Sequence, residues 1–373
     1  MNSSRHDTDT VIIGAGLSGL TTALLLTEGG RSVIVLEAQS QPGGRIRSIV
    51  DETTGQYLAD LGPTWVWPAF QPVAASWIAK LGLSTFPQYD QGNAILDYGP
   101  DVEPIARFLP GQEGQVRLVG GPQAIIDQLV ASLPEDTLRT GHMVTSVRIS
   151  ADGRTLQTDI DCRQALISDQ VIVATPPRIA LNAISWQPAL HASLAQALSA
   201  MPTWMAPHAK VVVLYDRPFW RECGLSGRIA SQAGPLAEAY DHSGPNGSPA
   251  AIFGFAGWPH DRRAHANADL ETHVRLQLKR CFGAASPEPF AIHIEDWAID
   301  RYVTSPQDLA EPLLHPAIGP TLLRQPHAED RLWFAGSETA TRSPGLIEGA
   351  FDAAEQTAAQ VLASTPSTIT DGG

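Results

Sequence analysis

A short apolar run, Asp9 to Ile13, leads into Gly14-Ala15-Gly16-Leu17-Ser18-Gly19, and Leu20, Ala23, Leu24 and Leu25 then follow at helical spacing. Strand, glycine turn and helix in this order form a cradle for phosphate. Gly14 permits the tight turn, Gly16 lets a pyrophosphate reach the backbone, and Gly19 lets helix and strand pack closely. The helix N-terminus adds free N–H groups and about half a positive charge. Glu37 closes a second strand, Ser32 to Leu36, where a carboxylate accepts hydrogen bonds from ribose hydroxyls. The expected ligand is a dinucleotide, with Leu17, Ser18 and Ala38 counted among its contacts. Gln41-Pro42-Gly43-Gly44-Arg45 comes next. Gly43 and Gly44 allow close backbone approach, and Arg45 offers a cationic fork to pyrophosphate oxygens.

These groups need a parallel sheet behind them, and the opening βαβ pattern supplies one. The pattern further predicts helices over Pro72 to Leu81, Gly120 to Leu133, Leu270 to Phe282 and Leu346 to Leu362. It predicts a hairpin with arms Val144 to Ile149 and Thr155 to Ile160 around Asp152-Gly153. Val171 to Ala174 and Leu332 to Ala335 read as short strands, and Lys210 to Tyr215 and Ala251 to Phe255 as strands of a second sheet. Lys210 is the odd residue in its apolar strand. On pattern alone it is an edge or snorkelling lysine.

The chain of 373 residues is 43% hydrophobic and 17% charged, enough for two domains and a large core. Its net charge of -14, from 25 basic and 39 acidic residues, argues against nucleic acid and against an anionic membrane surface. Three scattered cysteines, Cys162, Cys223 and Cys281, give no disulfide framework and no metal-ligand spacing, so no metal is expected. No secretory leader and no apolar stretch of membrane-spanning length is visible, and a cytoplasmic location is expected.

Several segments together resemble the flavin monoamine oxidase family. They are Val11 to Gly19, Val35 to Arg45, Asp60-Leu61-Gly62-Pro63-Thr64-Trp65, Val171 to Pro177, Lys210 to Trp220, Trp333 to Glu338 and Pro344 to Ala350. The resemblance implies an α/β fold: a Rossmann-like two-dinucleotide-binding FAD domain (1–68, 116–187 and 298–364) interleaved with a smaller α+β substrate domain (69–115 and 188–297), with a disordered tail at 365–373. It places Gly62, Pro63, Thr64, Trp65 and Ala174 at the cofactor, and Gly336, Ser337 and Glu338 near the pyrophosphate and ribityl chain. Val144 falls at the adenine side, and Leu346 and Ile347 at the flavin ring, where a helix N-terminus favours negative charge. Lys210 matches the family lysine that holds a water at flavin N5, and Trp297 would line the flavin. The implied activity is hydride transfer from the carbon of an amine C–N bond to flavin N5. It gives an imine and, with dioxygen, hydrogen peroxide, or passes electrons to another acceptor.

The chain departs from the family pattern in three ways. Pro306 stands where some members carry a cysteine bonded to FAD, so non-covalent FAD is expected. The two places of an aromatic, amine-steering cage fall on Gln307 and Leu346, unless Trp65, Trp67 or Trp297 replaces it. The stretch from Tyr89 to Gly120 is too short for the usual cavity roof, which predicts an open flavin face or one closed by the second subunit of a homodimer. An open site suits a bulky or carrier-bound substrate and disfavours tight binding of a small amine, and the expected partner is a small-molecule or carrier-bound amine-like substrate. These departures keep two alternatives in view: oxidation of a C–C bond in a bulky substrate, and L-amino-acid oxidation. For the second, Trp65 occupies the place of the expected carboxylate-binding arginine, and Arg107 is the candidate substitute.

Overall fold

The computed structural model describes residues 6–364 except 112, 152, 266 and 313, and no side chain is described at 267 and 268. The glycine turn does what its sequence dictates. The first strand, Thr8–Ile13, is buried along nearly its whole length and lies between Val33–Leu36 and Leu166–Val173, parallel to both. Burial on both faces explains why these strands read as unbroken apolar runs and not as alternating ones. They belong to an eight-stranded sheet. Its order is Ser185–Gln187, Val144–Ile149, Leu156–Ile160, Leu166–Val173, Thr8–Ile13, Val33–Leu36 and Leu138–Arg139, with Leu332–Phe334 paired to Leu166–Val173. The strand expected at Val171 starts five residues earlier, because its first residues pair antiparallel with the expected hairpin. Asp152 of the hairpin turn and the tail at 365–373 lie outside the described residues.

The first helix, Leu17–Glu28, and the final helix, Ile347–Ala363, lie against this sheet and share one core. Small residues on the final helix, among them Ala350, Ala354 and Ala358, let it approach closely. The helix Pro72–Lys80, expected in the substrate domain, packs on this layer instead. Trp77 stacks on Phe351 with centroids 5.2 Å apart, and Glu348 accepts hydrogen bonds from the Val73 and Ala74 N–H groups.

The second sheet has seven strands in the order Ala291–Asp296, Ala209–Tyr215, Ala250–Ala256, Leu236–Asp241, Leu225–Ser231, Asn93–Asp97 and Ile105–Arg107. Its faces are sorted by alternation. Val211, Val213 and Tyr215 share a core with Leu270, Val274 and Leu278 of the helix Asn267–Phe282. Val212 and Phe253 turn the other way, toward Ile49, Ala59 and the segment carrying Leu61 and Trp65. Lys210 alternates onto that second face, which looks toward the first sheet.

Candidate active site

A single large cavity runs from the glycine turn to the second sheet and measures about 1290 Å³. Sites for drug-sized ligands run to roughly 300–1,000 Å³, so this one has room for a dinucleotide and a further molecule.

At one end the walls are mostly backbone. Gly14 has φ +103°, a value closed to most side chains. A Cβ on Gly16 would meet nothing within 4 Å, so that face is open to a ligand. Gly19 does not line the cavity; a Cβ there would stand 2.0 Å from the Gly14 carbonyl oxygen, which fixes its role as close packing. No side chain caps the first helix at Gly16 or the final helix at Leu346, and both N-termini open onto the cavity. Glu37 is buried, and its two carboxylate oxygens accept hydrogen bonds from the Ala15 and Gln39 N–H groups, each at 2.8 Å. Burial raises its pKa against the pull of those donors. Arg45 donates to Ser337 Oγ at 2.8 Å and lies 2.7 Å from the carboxylate of Glu338, which is fully buried. Glu338 and Gly336 stand behind the wall and do not reach the cavity; Ser337 does.

Buried N–H groups at two uncapped helix ends, a guanidinium and a fixed carboxylate fit the pyrophosphate and ribose of a dinucleotide. Gly14, Gly16, Leu17, Ser18, Glu37, Ala38, Gly43, Gly44, Arg45, Val144 and Ala174 all line this end. Gly62, Pro63, Thr64, Trp65, Leu346 and Ile347 line the passage to the other.

At the far end Lys210 is buried and lines the cavity. Its strand is internal, flanked by Ala250–Ala256 and Ala291–Asp296, so the edge-lysine expectation fails, and the ammonium does not reach solvent. It donates to the Gly62 carbonyl at 2.8 Å and to Thr64 Oγ1 at 2.5 Å, and stands 4.3 Å from the ring centre of Phe253. Burial lowers its pKa to about 7, opposed by the charge of Asp60. Asp60 is itself fully buried beside Arg117 and His242. Burial works against its charge, but His242, Lys210 and Arg117 outweigh it and hold its pKa below the ordinary value. His242 Nε2 accepts the Asp60 N–H at 2.9 Å, and burial, reinforced by Arg117, pushes this imidazole down to about 3.

Aromatic surface is plentiful. Trp65, Trp67, Trp204, Phe255, Trp258 and Trp297 all reach the cavity. Trp65 meets Tyr240 and Phe253 at 4.9 and 5.1 Å and donates Nε1–H to Gln88. Trp297 donates to the Leu61 carbonyl, and the guanidinium of Arg47 covers its ring at 4.7 Å. Gln307, expected at a cage position, is turned away: its amide accepts from Ser199 and donates to Glu311, and it does not line the cavity. Arg107 sits exposed on the outermost strand of the second sheet and is also remote from the site. No described residue between Tyr89 and Gly120 lines the cavity.

Sequence reasoning missed Arg47, which pairs with Glu295 at 2.7 Å and with Asp300, and so ties the glycine-rich segment to the second sheet. Its alternation with Arg45 in Gly44-Arg45-Ile46-Arg47 was the available signal. His208, two residues before Lys210, also lines the cavity.

Comparisons with known proteins give the family. The family model described as flavin containing amine oxidoreductase matches residues 101–362, and a NAD(P)-binding Rossmann-like domain model matches residues 12–81. The chain belongs to the flavin containing amine oxidoreductase family. It is an oxidoreductase, and its cofactor is FAD. None of the three cysteines lines the cavity, in keeping with FAD held without a cysteinyl bond.

A probable flavin-containing monoamine oxidase A of Dictyostelium discoideum is 24% identical, covering 92% of this chain and 95% of its own. Amine oxidase B of Sus scrofa is also 24% identical, covering 95% and 86%. The first alignment runs over 451 positions, more than this chain's 373 residues, so the relative carries segments that are absent here. Putrescine oxidase bound to putrescine superposes with a TM-score of 0.79 at 20% identity, covering 96% of this chain and 99% of its own. Cyclohexylamine oxidase from Brevibacterium oxydans gives 0.78 at 19%, with the same coverage. Among the described residues no helix is long and apolar enough to cross a membrane.

Proposed function

We propose that the protein oxidises the C–N bond of an amine to an imine, with dioxygen as the electron acceptor and hydrogen peroxide as the second product. The observation that carries this reading is the ammonium of Lys210, buried at the cavity wall with two of its three N–H groups held by Gly62 and Thr64. Bound FAD supplies the two-electron redox chemistry.

The chain's own residues do the rest. The uncapped helix ends, Arg45 and Glu37 bind and orient the cofactor. Trp65, Phe255 and Trp297 form an apolar, π-rich wall that excludes water and attracts a cationic amine to its ring faces. Lys210 has one N–H free of protein partners, which holds and orients a water in the cavity. Its positive charge, fixed in a low-dielectric setting, stabilises negative charge that develops nearby. The chain divides for this work as its strands do: the first sheet positions the cofactor, and the second presents Lys210.

The test is to mix the flavin-loaded protein with a panel of amines without oxygen and follow the visible absorbance. Bleaching by an amine, with colour returning in air, is the expected result. Bleaching by alkene precursors but by no amine would replace this reading with C–C oxidation.

A further inference from the structure

A second polar residue stands just before the strand of Lys210, which starts at Ala209. His208 lies two positions before Lys210, so both side chains point to the side that lines the cavity. Its ring meets Phe255 edge-on at 6.5 Å, and its backbone carbonyl accepts the Trp297 N–H at 3.0 Å, which fixes the start of the strand. Nδ1 is sealed in the wall with no hydrogen-bond partner. Among the described residues nothing bonds Nε2 either, and this is the nitrogen left to meet the contents of the cavity.

The surrounding charges decide the form of the ring. Arg263 is buried beside it. It holds Asp296 through two hydrogen bonds of 2.8 and 2.7 Å, the Trp258 carbonyl at 2.6 Å and the Pro207 carbonyl at 2.8 Å. Four of its five N–H groups are thereby taken, and toward His208 it acts through its positive charge. Burial, then Arg263, lowers the pKa of His208 and keeps the ring neutral. Lys210 adds positive charge along the strand, and Glu238 stands exposed on the same cavity wall, accepting the Tyr240 hydroxyl at 2.6 Å. A sealed lone pair is less costly than a sealed N–H, so the proton resides on Nε2 and Nδ1 is bare.

We propose that His208 is a specificity-determining residue that donates Nε2–H to a hydrogen-bond acceptor on the substrate, so that the preferred amines carry a second, oxygen-bearing group such as a hydroxyl or carbonyl. A terminal ammonium has only donors and is rejected at this position. An alkyl group leaves the N–H unpaired. This inference rests on the amine reading above and narrows its substrate class.

The test compares 1-aminopentane, 5-amino-1-pentanol and 1,5-diaminopentane by the rate and apparent Kd of anaerobic flavin bleaching, in the native protein and in His208→Leu and His208→Gln. The native protein should favour the amino alcohol over the alkylamine by about tenfold, the worth of one such bond. His208→Leu should erase that ratio, and His208→Gln, which keeps a donor, should restore part of it. An unchanged ratio in His208→Leu overturns the proposal while leaving amine oxidation intact. A preference for the diamine also overturns it and points to Glu238. If no amine bleaches the native protein, the amine reading falls first and this inference with it. Should His208→Leu fail to retain flavin, the 15N resonance of His208 Nε2 in the native holoprotein reads the same contact. A shift on adding the amino alcohol but not the alkylamine supports the proposal, and no difference between the two overturns it.

Discussion

At the glycine turn, most of the cavity wall comes from one stretch of chain, Gly14 to Arg45, through backbone groups and the side chains of Glu37 and Arg45, and Val144, Ala174 and Ser337 complete it from later segments. At Lys210, the groups are side chains from widely separated segments: Thr64 and Trp65, Lys210 itself, Phe255 and Trp297. The first end is fixed by φ angles and helix termini, the second by packing between two sheets. Local construction makes the cofactor end resistant to drift and intolerant of substitution. Distributed construction lets the reacting end change one wall at a time. Substitutions at the two ends should therefore fail in different ways, one in flavin occupancy and stability, the other in rate.

The largest effect is expected at Gly19. A methyl group there would lie 2.0 Å from the Gly14 carbonyl oxygen, a backbone atom that cannot yield without opening the strand–helix junction. Gly19→Ala should abolish recovery of folded, flavin-bearing protein, read from the ratio of visible to ultraviolet absorbance. A yellow, stable Gly19→Ala protein would break the comparison at its firmest point.

Arg45 comes next. Its partner Glu338 is fully buried, and removing one member of such a pair leaves an uncompensated charge at a cost of about 3–5 kcal/mol. Arg45→Ala should lower the Tm and release flavin, and adding Glu338→Gln should recover part of the Tm. If the double variant is no better than the single one, the pair is not what holds this end together.

That contrast also accounts for what could be read from the chain. The strand, turn, helix and carboxylate from Thr8 to Glu37 form one contiguous pattern, and each residue sits where that pattern requires. Lys210 is different. Nothing in an apolar run says whether a lysine is at an edge or in the middle of a sheet, and pattern alone favoured the edge. Its true position is set by Ala250–Ala256 and Ala291–Asp296 pairing on either side, forty and more residues away. Resemblance implied a role for it, but not the lowering of its pKa by burial or the neighbours Asp60, Arg117 and His242. Gln307 shows the opposite limit. A position inferred by alignment across a shortened segment can land on a helix that faces away, where Ser199 and Glu311 claim its amide.

At the reacting end, Lys210→Met should retain flavin and lose turnover by about 10²–10³-fold, the scale for removing one preorganised electrostatic group. The same lysine carries a pH signature. Its pKa in the fold is about 7, below the roughly 10.4 of an unfolded lysine. Any step that needs the ammonium weakens as pH rises through about 7. Asp60→Asn removes the negative charge that holds this pKa up, so the falling limb of the rate profile should move to lower pH. Stability runs the other way. Between about pH 7 and 10.4 the unfolded chain binds the proton and the folded one does not, so this lysine's cost to folding is full below pH 7 and is relieved as pH rises. Lys210→Met should therefore gain Tm over the native protein at pH 6 and lose that advantage by pH 10. A flat difference would mean that the ammonium is not desolvated.

The smallest expected effect sharpens the comparison most finely. Leu346 occupies a place where an aromatic cage residue was anticipated, at the uncapped start of the final helix. The structure already brings Trp65, Phe255 and Trp297 to the cavity from other directions. If aromatic surface is supplied by distributed packing, a further ring is nearly redundant. Leu346→Tyr should then change KM for an arylalkylamine by only a few-fold, about 0.5–1 kcal/mol for one additional cation–π contact, with flavin content unchanged. A gain of a hundredfold would show that the native walls do not contact the amine. A loss of flavin would show that Leu346 belongs with the cofactor end, because the uncapped helix N-terminus that follows it is then the element that cannot tolerate change.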